Sequence, residues 1–251
     1  TTEIYTLSLH DALPILRTAP VAEFAGFYRD WYRPDLMAVI AVGDFDGEAI
    51  ERIVRQLFEP FVVPAGARVR PTPRVPDHEG TRTSVVTDPE LTMSVVSLYA
   101  GRDVEPFLTV GDYRKRIVAS LVGTMLSARL DELAQEADPP FLQAYAGVDR
   151  IVRTREAFTL AALVRDGELE PGLEALLTEV ERVRVHGFSE SELQRARDDL
   201  ARAMERYYRE RDKSTSRQFA EEYIRAFLTA EPIPGIPYEY ELHMRELPGI
   251  G

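Results

Sequence analysis

The sequence predicts an α+β protein, a two-layer fold with an antiparallel sheet and helices on one of its faces. Three observations predict it. From residue 76 the patterns run β, β, α, β, β, α, α, α. The strand-like runs come in adjacent pairs, and the helical stretches are long enough to cover them. A proline-dense segment, with Pro60, Pro64, Pro71, Pro73 and Pro76, separates this series from a shorter one before it.

The shorter series has three elements. In VAEFAGFYRDWYR, residues 21–33, Phe24, Phe27, Tyr28 and Trp31 fall at helical spacing. Pro34 ends that helix, because the residue before a proline is pushed out of the α region. LMAVIAV, residues 36–42, is a short apolar run stopped by Gly43 and Asp44, the pattern of a strand buried on both faces. A second helix runs from about Gly47 to Phe58, with Asp46 at its N-cap and Ile50, Ile53, Val54, Leu57 and Phe58 on one side.

After the prolines, residues 82–88 and 91–101 read as strands. A long helix over 110–137 turns Tyr113, Ile117, Leu121, Met125, Leu130 and Leu133 inward. Two further strands are expected at 141–152 and 156–165. Leu173, Leu176, Leu177, Val180 and Val183 mark a helix closed by Gly187. Ser189 and Glu192 form a capping-box pattern that opens the next helix, whose inward residues are Leu193, Ala196, Leu200, Ala203 and Tyr207. A last helical segment covers 214–229, and EPIPGIP, residues 231–237, reads as a loop.

Composition narrows the function. A net charge of −12 disfavours a nucleic-acid binder, which needs a basic face. No apolar run is long enough to span a bilayer. The absence of cysteine excludes disulfides, Cys-type zinc sites and Cys nucleophiles.

Chemistry-bearing residues are scattered. His10, His78, His186 and His243 lie far apart, with no His-x-x-Glu-His frame. His186 ends a helix, where a ring cation suits the dipole; His78 and His243 read as solvated. Lys213-Ser214-Thr215 lacks the glycines of a phosphate loop. Asp131-Glu132 and Asp198-Asp199 are neighbours on helices and do not face each other. Tyr207-Tyr208 and the aromatics of 24–32 read as core or interface. The expected catalytic and metal residues of this chain are therefore none, and its substrate-binding residues are not readable.

A resemblance adds to this reading. FYRDWYRPDLMAVIAVGDFDGEAIERIVRQLF, residues 27–58, resembles a segment of the insulinase/pitrilysin-type zinc metallopeptidases: an aromatic helix before "YRP", an apolar strand ending in "VGD", then an amphipathic helix. DYRKRIVASLVGTMLSARLDELAQEAD, residues 112–138, resembles the family's helix ending in a small-residue turn and "RL" before paired strands, and FLTAEPIPGIPYEYELHMRELPGI, residues 227–250, is similar to a stretch of large bacterial cell-envelope members. The resemblance implies one half of a clam-shell that encloses a peptide, with the first domain incomplete. Residues 17–62 would be the end of the catalytic-type domain, 63–75 a linker, and 76–251 most of the second, non-catalytic domain, truncated at its C-terminus. The family's zinc ligands precede the "YRP" segment, so the implied zinc belongs to the intact parent and none is expected in this chain.

The resemblance thus implies a fragment of a zinc metalloendopeptidase that walls the peptide chamber and is inactive alone. The alternative is a metal-free binding or scaffolding subunit of the same family. The implied partners are the rest of the parent chain and a peptide substrate, and the implied location is the bacterial periplasm or cell envelope. The opening TTEIYTLSLHDALPI resembles the translation of a sequencing adapter, so residues 1–16 are expected to be foreign to the fold.

Overall fold

The computed structural model describes residues 3–5, 18–88 and 90–251, and of residues 3–5 the backbone alone. The chain divides into two units, Thr1–Glu90 with Thr215–Ala230, and Leu91–Ser214 with Glu231–Gly251. This division falls after the proline-dense segment and returns residues 215–230 to the first unit.

The first unit contains strands β1 (Glu3–Tyr5) and β2 (Ser84–Val86), which pair in parallel. No sequence pattern marks β1, and of the strand expected at 82–88 only three exposed residues are in β2. Helix α1 (Val21–Trp31) follows Pro20. Arg33 is extended, with φ −135° and ψ 155°, as a residue before proline must be. Helix α2 (Gly47–Phe58) is capped by Asp46, whose carboxylate accepts from the backbone N–H groups of Glu48 at 3.0 Å and Ala49 at 3.2 Å.

The expected strand at 36–42 is not a strand. A 3₁₀ turn takes Pro34–Leu36, and residues 37–42 join no ladder. Met37 and Val39 are about half exposed. The apolar pattern is that of a sheet interior, but a strand exists only where partner strands take up its backbone groups; none of the described residues does so here.

Residues 60–76 form no helix or strand, but they are not a free tether. The Arg33 guanidinium donates to the Arg68 carbonyl and pairs with Asp35 at 3.1 Å. Arg68 in turn pairs with Asp30 at 3.2 Å and lies 5.7 Å from the Trp31 ring centre. These contacts fasten the proline-rich segment back onto α1.

The second unit holds the core. Strands β3 (Ser94–Asp103), β4 (Gln143–Val152) and β5 (Arg155–Val164) form an antiparallel sheet in the order β3-β5-β4. The register places Val96 opposite Ala162 and Leu98 opposite Leu160, with Ala144 and Ala146 on the far side of the same two residues. These side chains share one face, since alternate strand residues point the same way. Helices α3 (Val110–Ala134) and α4 (Leu169–His186) cover that face through Leu126, Leu130 and Leu176. Phe141 is fully buried among them.

Close approach of α3 to β4 depends on a missing side chain. A Cβ on Gly123 would meet the Ala146 carbonyl oxygen at 3.1 Å. One turn on, Ser127 Oγ accepts from the Ala146 N–H at 3.1 Å and donates to its carbonyl at 3.2 Å. The hydroxyl thus satisfies backbone groups on an edge strand that would otherwise invite pairing.

Helix α4 ends at Gly187, whose φ of +66° an L side chain rarely adopts. Its apolar residues do not all face the core. Leu176 and Glu179 are buried, whereas Leu177 and Val180 are largely exposed. Helix α5 (Glu190–Arg209) opens with the expected capping box of Ser189 and Glu192. Helix α6 (Ser216–Thr229), capped by Thr215, belongs to the first unit. Helix α7 (Ile236–Glu246) corrects the expected loop, since proline density at 231–237 hides its start. Pro237 sits in its first turn, where a missing N–H is no loss. A second core cluster joins Ile117, Leu121 and Met125 of α3, Ala196 of α5, and Leu247 and Ile250 beyond α7.

Candidate functional site

The residues singled out from sequence are not brought together. His78 is exposed, with Nδ1 3.0 Å from the Gly80 carbonyl oxygen. His186 is exposed in the last turn of α4. His10 lies outside the described residues. Asp131 and Glu132 are exposed on α3. Asp198 accepts from Gln194 at 2.9 Å, and Asp199 pairs with Arg202 at 2.5 Å. Lys213 closes a 3₁₀ turn and Thr215 caps α6, so that tripeptide forms no phosphate cradle. Tyr207 is exposed, while Tyr208 stacks on Tyr240 with ring centres 4.4 Å apart. Phe24, Phe27 and Tyr28 of α1 are exposed.

His243 is a correction. It is buried, with 8% of its surface exposed, because α7 carries it against α3. Its Nδ1 lies 3.2 Å from the Tyr113 hydroxyl, which also reaches Glu239 Oε1 at 3.3 Å. Burial pushes the His243 pKa below the usual 6.5. Burial first, then the Glu239 carboxylate, raises that of Tyr113.

A second polar cluster joins α3, α4 and α5. The Arg129 guanidinium donates to Glu192 at 2.5 and 3.1 Å and to the Gly187 carbonyl at 3.0 Å. It lies 3.9 Å from Glu179 Oε2 and 4.9 Å from the Phe188 ring centre. Glu179, only 2% exposed, also accepts from Arg182 at 2.6 Å. The hydrogen bond from Arg129 lowers the Glu192 pKa to about 2, with help from the Ser189 cap. A signal for this cluster is present in the sequence: a carboxylate three residues after Leu176 and four before Val183 lies inside an apolar stripe.

Neither cluster has the parts of an active centre. Arg129 holds Glu192 in two hydrogen bonds, and Glu179 is bonded through one oxygen to Arg182 with Arg129 3.9 Å from the other, an arrangement of ion pairs without a nucleophile. An open groove of about 580 Å³ lies along α4, lined by Leu173 and Leu177 with Glu170, Glu174, Thr178, Glu181 and Arg182. It contains no histidine, and its one hydroxyl residue, Thr178, shares the lining with Glu174, Glu181 and Arg182. Among the described residues, no three His, Asp or Glu side chains are grouped so as to hold a metal ion. The described residues therefore do not fit a zinc site. No helix among them is long and apolar enough to cross a membrane.

The comparisons with known proteins agree with the architecture. The sequence pattern of the peptidase M16 inactive domain matches residues 19–200, and the chain belongs to this insulinase-type peptidase family. A relative from Arabidopsis thaliana, "Zinc protease PQQL-like", is 32% identical over 237 residues, covering 94% of this chain. The chain spans only 19–26% of the length of the curated relatives it matches. The crystal structure of the first half of the periplasmic protease PqqL from Escherichia coli superposes with a TM-score of 0.80 at 19% identity, covering 95% of this chain and 51% of that one. A predicted insulinase family protease from Yersinia pestis gives a TM-score of 0.69 at 14% identity, covering 94% and 51%. At such identities the structures establish the shared fold.

Proposed function

We propose that this chain is a non-catalytic part of an insulinase-like zinc metalloendopeptidase and forms one wall of the chamber that receives the peptide. The observation that carries the reading is a contrast. The chain belongs to the family and matches its inactive domain, yet its described residues offer no donor set for zinc. Zinc would be held by other parts of the longer polypeptide, and the partners of this chain are those parts and a peptide. Residues 17–62 then end the catalytic-type domain, and 76–251 are most of the second domain.

The purified chain is expected to bind no stoichiometric zinc and to cleave no peptide. Metal analysis together with a chelator-controlled peptidase assay tests this. One tightly held zinc per chain, with chelator-sensitive cleavage, overturns it. Sequencing the coding DNA upstream separates the parent activities: a His-x-x-Glu-His frame there supports the peptidase, and its absence supports a metal-free scaffolding relative.

A further inference from the structure

We propose that residues 236–250 form an acid-released flap over the second core cluster, with His243 as its trigger. The flap consists of α7, the 3₁₀ turn Leu247–Gly249 and Ile250. Leu247 and Ile250 close the cluster built on Ile117, Leu121 and Met125. On its N-terminal side the flap follows a segment without regular structure, in which Ala230 has φ +58° and Gly235 φ +80°.

The hydrogen bonds define the resting state. The Tyr113 hydroxyl has one proton to give, and both of its neighbours are within reach. If it donates to Glu239, it accepts from His243 Nδ1–H, and both contacts are satisfied at once. That relay places a proton on Nδ1, and burial favours the neutral ring that carries it there. His243 Nε2 is then a buried acceptor without a partner. An acid proton must go to Nε2, where it creates a buried cation whose new N–H has nothing to donate to. The neutral ring is compatible with the closed flap, and the charged ring is not.

The surroundings do not offset this cost. The charged and titratable groups around the flap are Tyr113 and Arg114 from α3, Tyr208 from α5 with Arg211 over its ring, and, on α7 itself, Tyr238, Glu239, Tyr240, Glu241, Arg245 and Glu246, the last paired with Arg114 and Arg245. Glu239 is the one acid that reaches the relay, through Tyr113. Arg114 is spent on the far end of the flap, where it donates to the carbonyls of Glu246 at 3.2 Å and Gly249 at 2.6 Å. The N-terminal half of the flap therefore depends on the His243 relay and the Tyr240 stack, and the C-terminal half is pinned independently of pH.

Hydrogen exchange on the full chain at pH 7.5 and pH 5.0, corrected for the intrinsic exchange rate, tests the proposal. One histidine released from a buried neutral state can change the opening constant by at most about 30-fold over this range, taking 6.5 for the free ring. Opening of 236–246 is expected to rise at least fivefold, with β5 unchanged and with the rise abolished in His243→Gln. A change below twofold, an equal change in β5, or a His243→Gln chain that keeps the full response overturns the proposal. Should that variant fail to fold, the titration of the His243 ring in the unaltered chain decides by NMR. A midpoint below 6.5 supports the flap, and one at or above 6.5 overturns it.

Discussion

Replacing Arg129 with Met keeps an unbranched apolar stem and removes the guanidinium that joins three helices. Glu179 would be left 2% exposed, with Arg182 as its remaining cation, itself largely in water. Breaking a buried pair by removing one partner costs about 3–5 kcal/mol, and the surviving Arg182 contact lowers that figure. Glu192 adds its own loss. A pKa lowered from 4.5 to about 2 corresponds to a ceiling of about 3 kcal/mol at about 1.4 kcal/mol per unit. That carboxylate is reached by water, so screening reduces its share to about 1 kcal/mol. The sum expected for Arg129→Met is about 3 kcal/mol.

The assay is amide exchange of Leu160–Val164 in β5, the central strand, which reports opening of the whole second unit. Trp31 is the only tryptophan and lies in the first unit, so its fluorescence serves as an internal control. A loss below about 1 kcal/mol in β5 would refute the reasoning and show that Arg182 alone supports Glu179. The pH dependence has a definite sign. The Glu192 pKa is lower in the folded state than in the unfolded state, so its contribution is complete above about 4.5 and is lost as pH falls toward 2. In Glu192→Gln the acid-induced loss between those values should shrink, and an unchanged acid profile would exclude the Arg129 bond as its cause.

Two further outcomes are expected. A Cβ on Gly172 would come within 2.5 Å of Val164 Cγ1, so Gly172→Ala should destabilise the second unit by about 1–2 kcal/mol despite the better helix propensity of alanine; a gain in the thermal midpoint would contradict the close packing. Residues 36–42 should exchange their amides much faster than Val95–Leu98 of β3, and equal protection in a monomer would show that the segment has a strand partner.

Legibility follows the physics of each signal. The capping boxes at Ser189 and Thr215, the Asp46 cap and the Gly187 terminus depend on neighbours in sequence, and the first, third and fourth are readable there. The strands 143–152 and 155–164 lie within three residues of their expected ends, because their apolar residues have no competing pattern. Helix α7 is hidden by its prolines, and the burial of His243 is hidden with it. A proline count does not distinguish a loop from the first turn of a helix. The buried face of α4 does not follow from its apolar residues, since Leu177 and Val180 are apolar yet exposed while Glu179 is acidic yet buried. The acidic residue in the apolar stripe is visible in the sequence, but its partner Arg129, 3.9 Å away in space, lies fifty residues off in the chain, and no local pattern shows that pairing.

Dependence on a distant partner also explains why the strand at 36–42 fails while its helical neighbours form. A helix closes its hydrogen bonds within its own residues, so α1 and α2 need only their caps and side-chain spacing. A strand closes them with another segment. Every buried hydrophobic side chain among the described residues belongs to the second unit, and in the first only Arg33 is buried. The apolar faces of α1 and α2, with Phe24, Phe27, Ile53 and Leu57 about half exposed or more, are thus correctly patterned but uncovered. Amphipathic patterning shows that a face is meant to be buried, not what buries it. If the remaining parts of a longer M16 polypeptide supply that cover, adding the preceding segment should raise protection at residues 37–42 and reduce the exposure of α1 and α2 together, because one sheet would satisfy the strand and bury both helices.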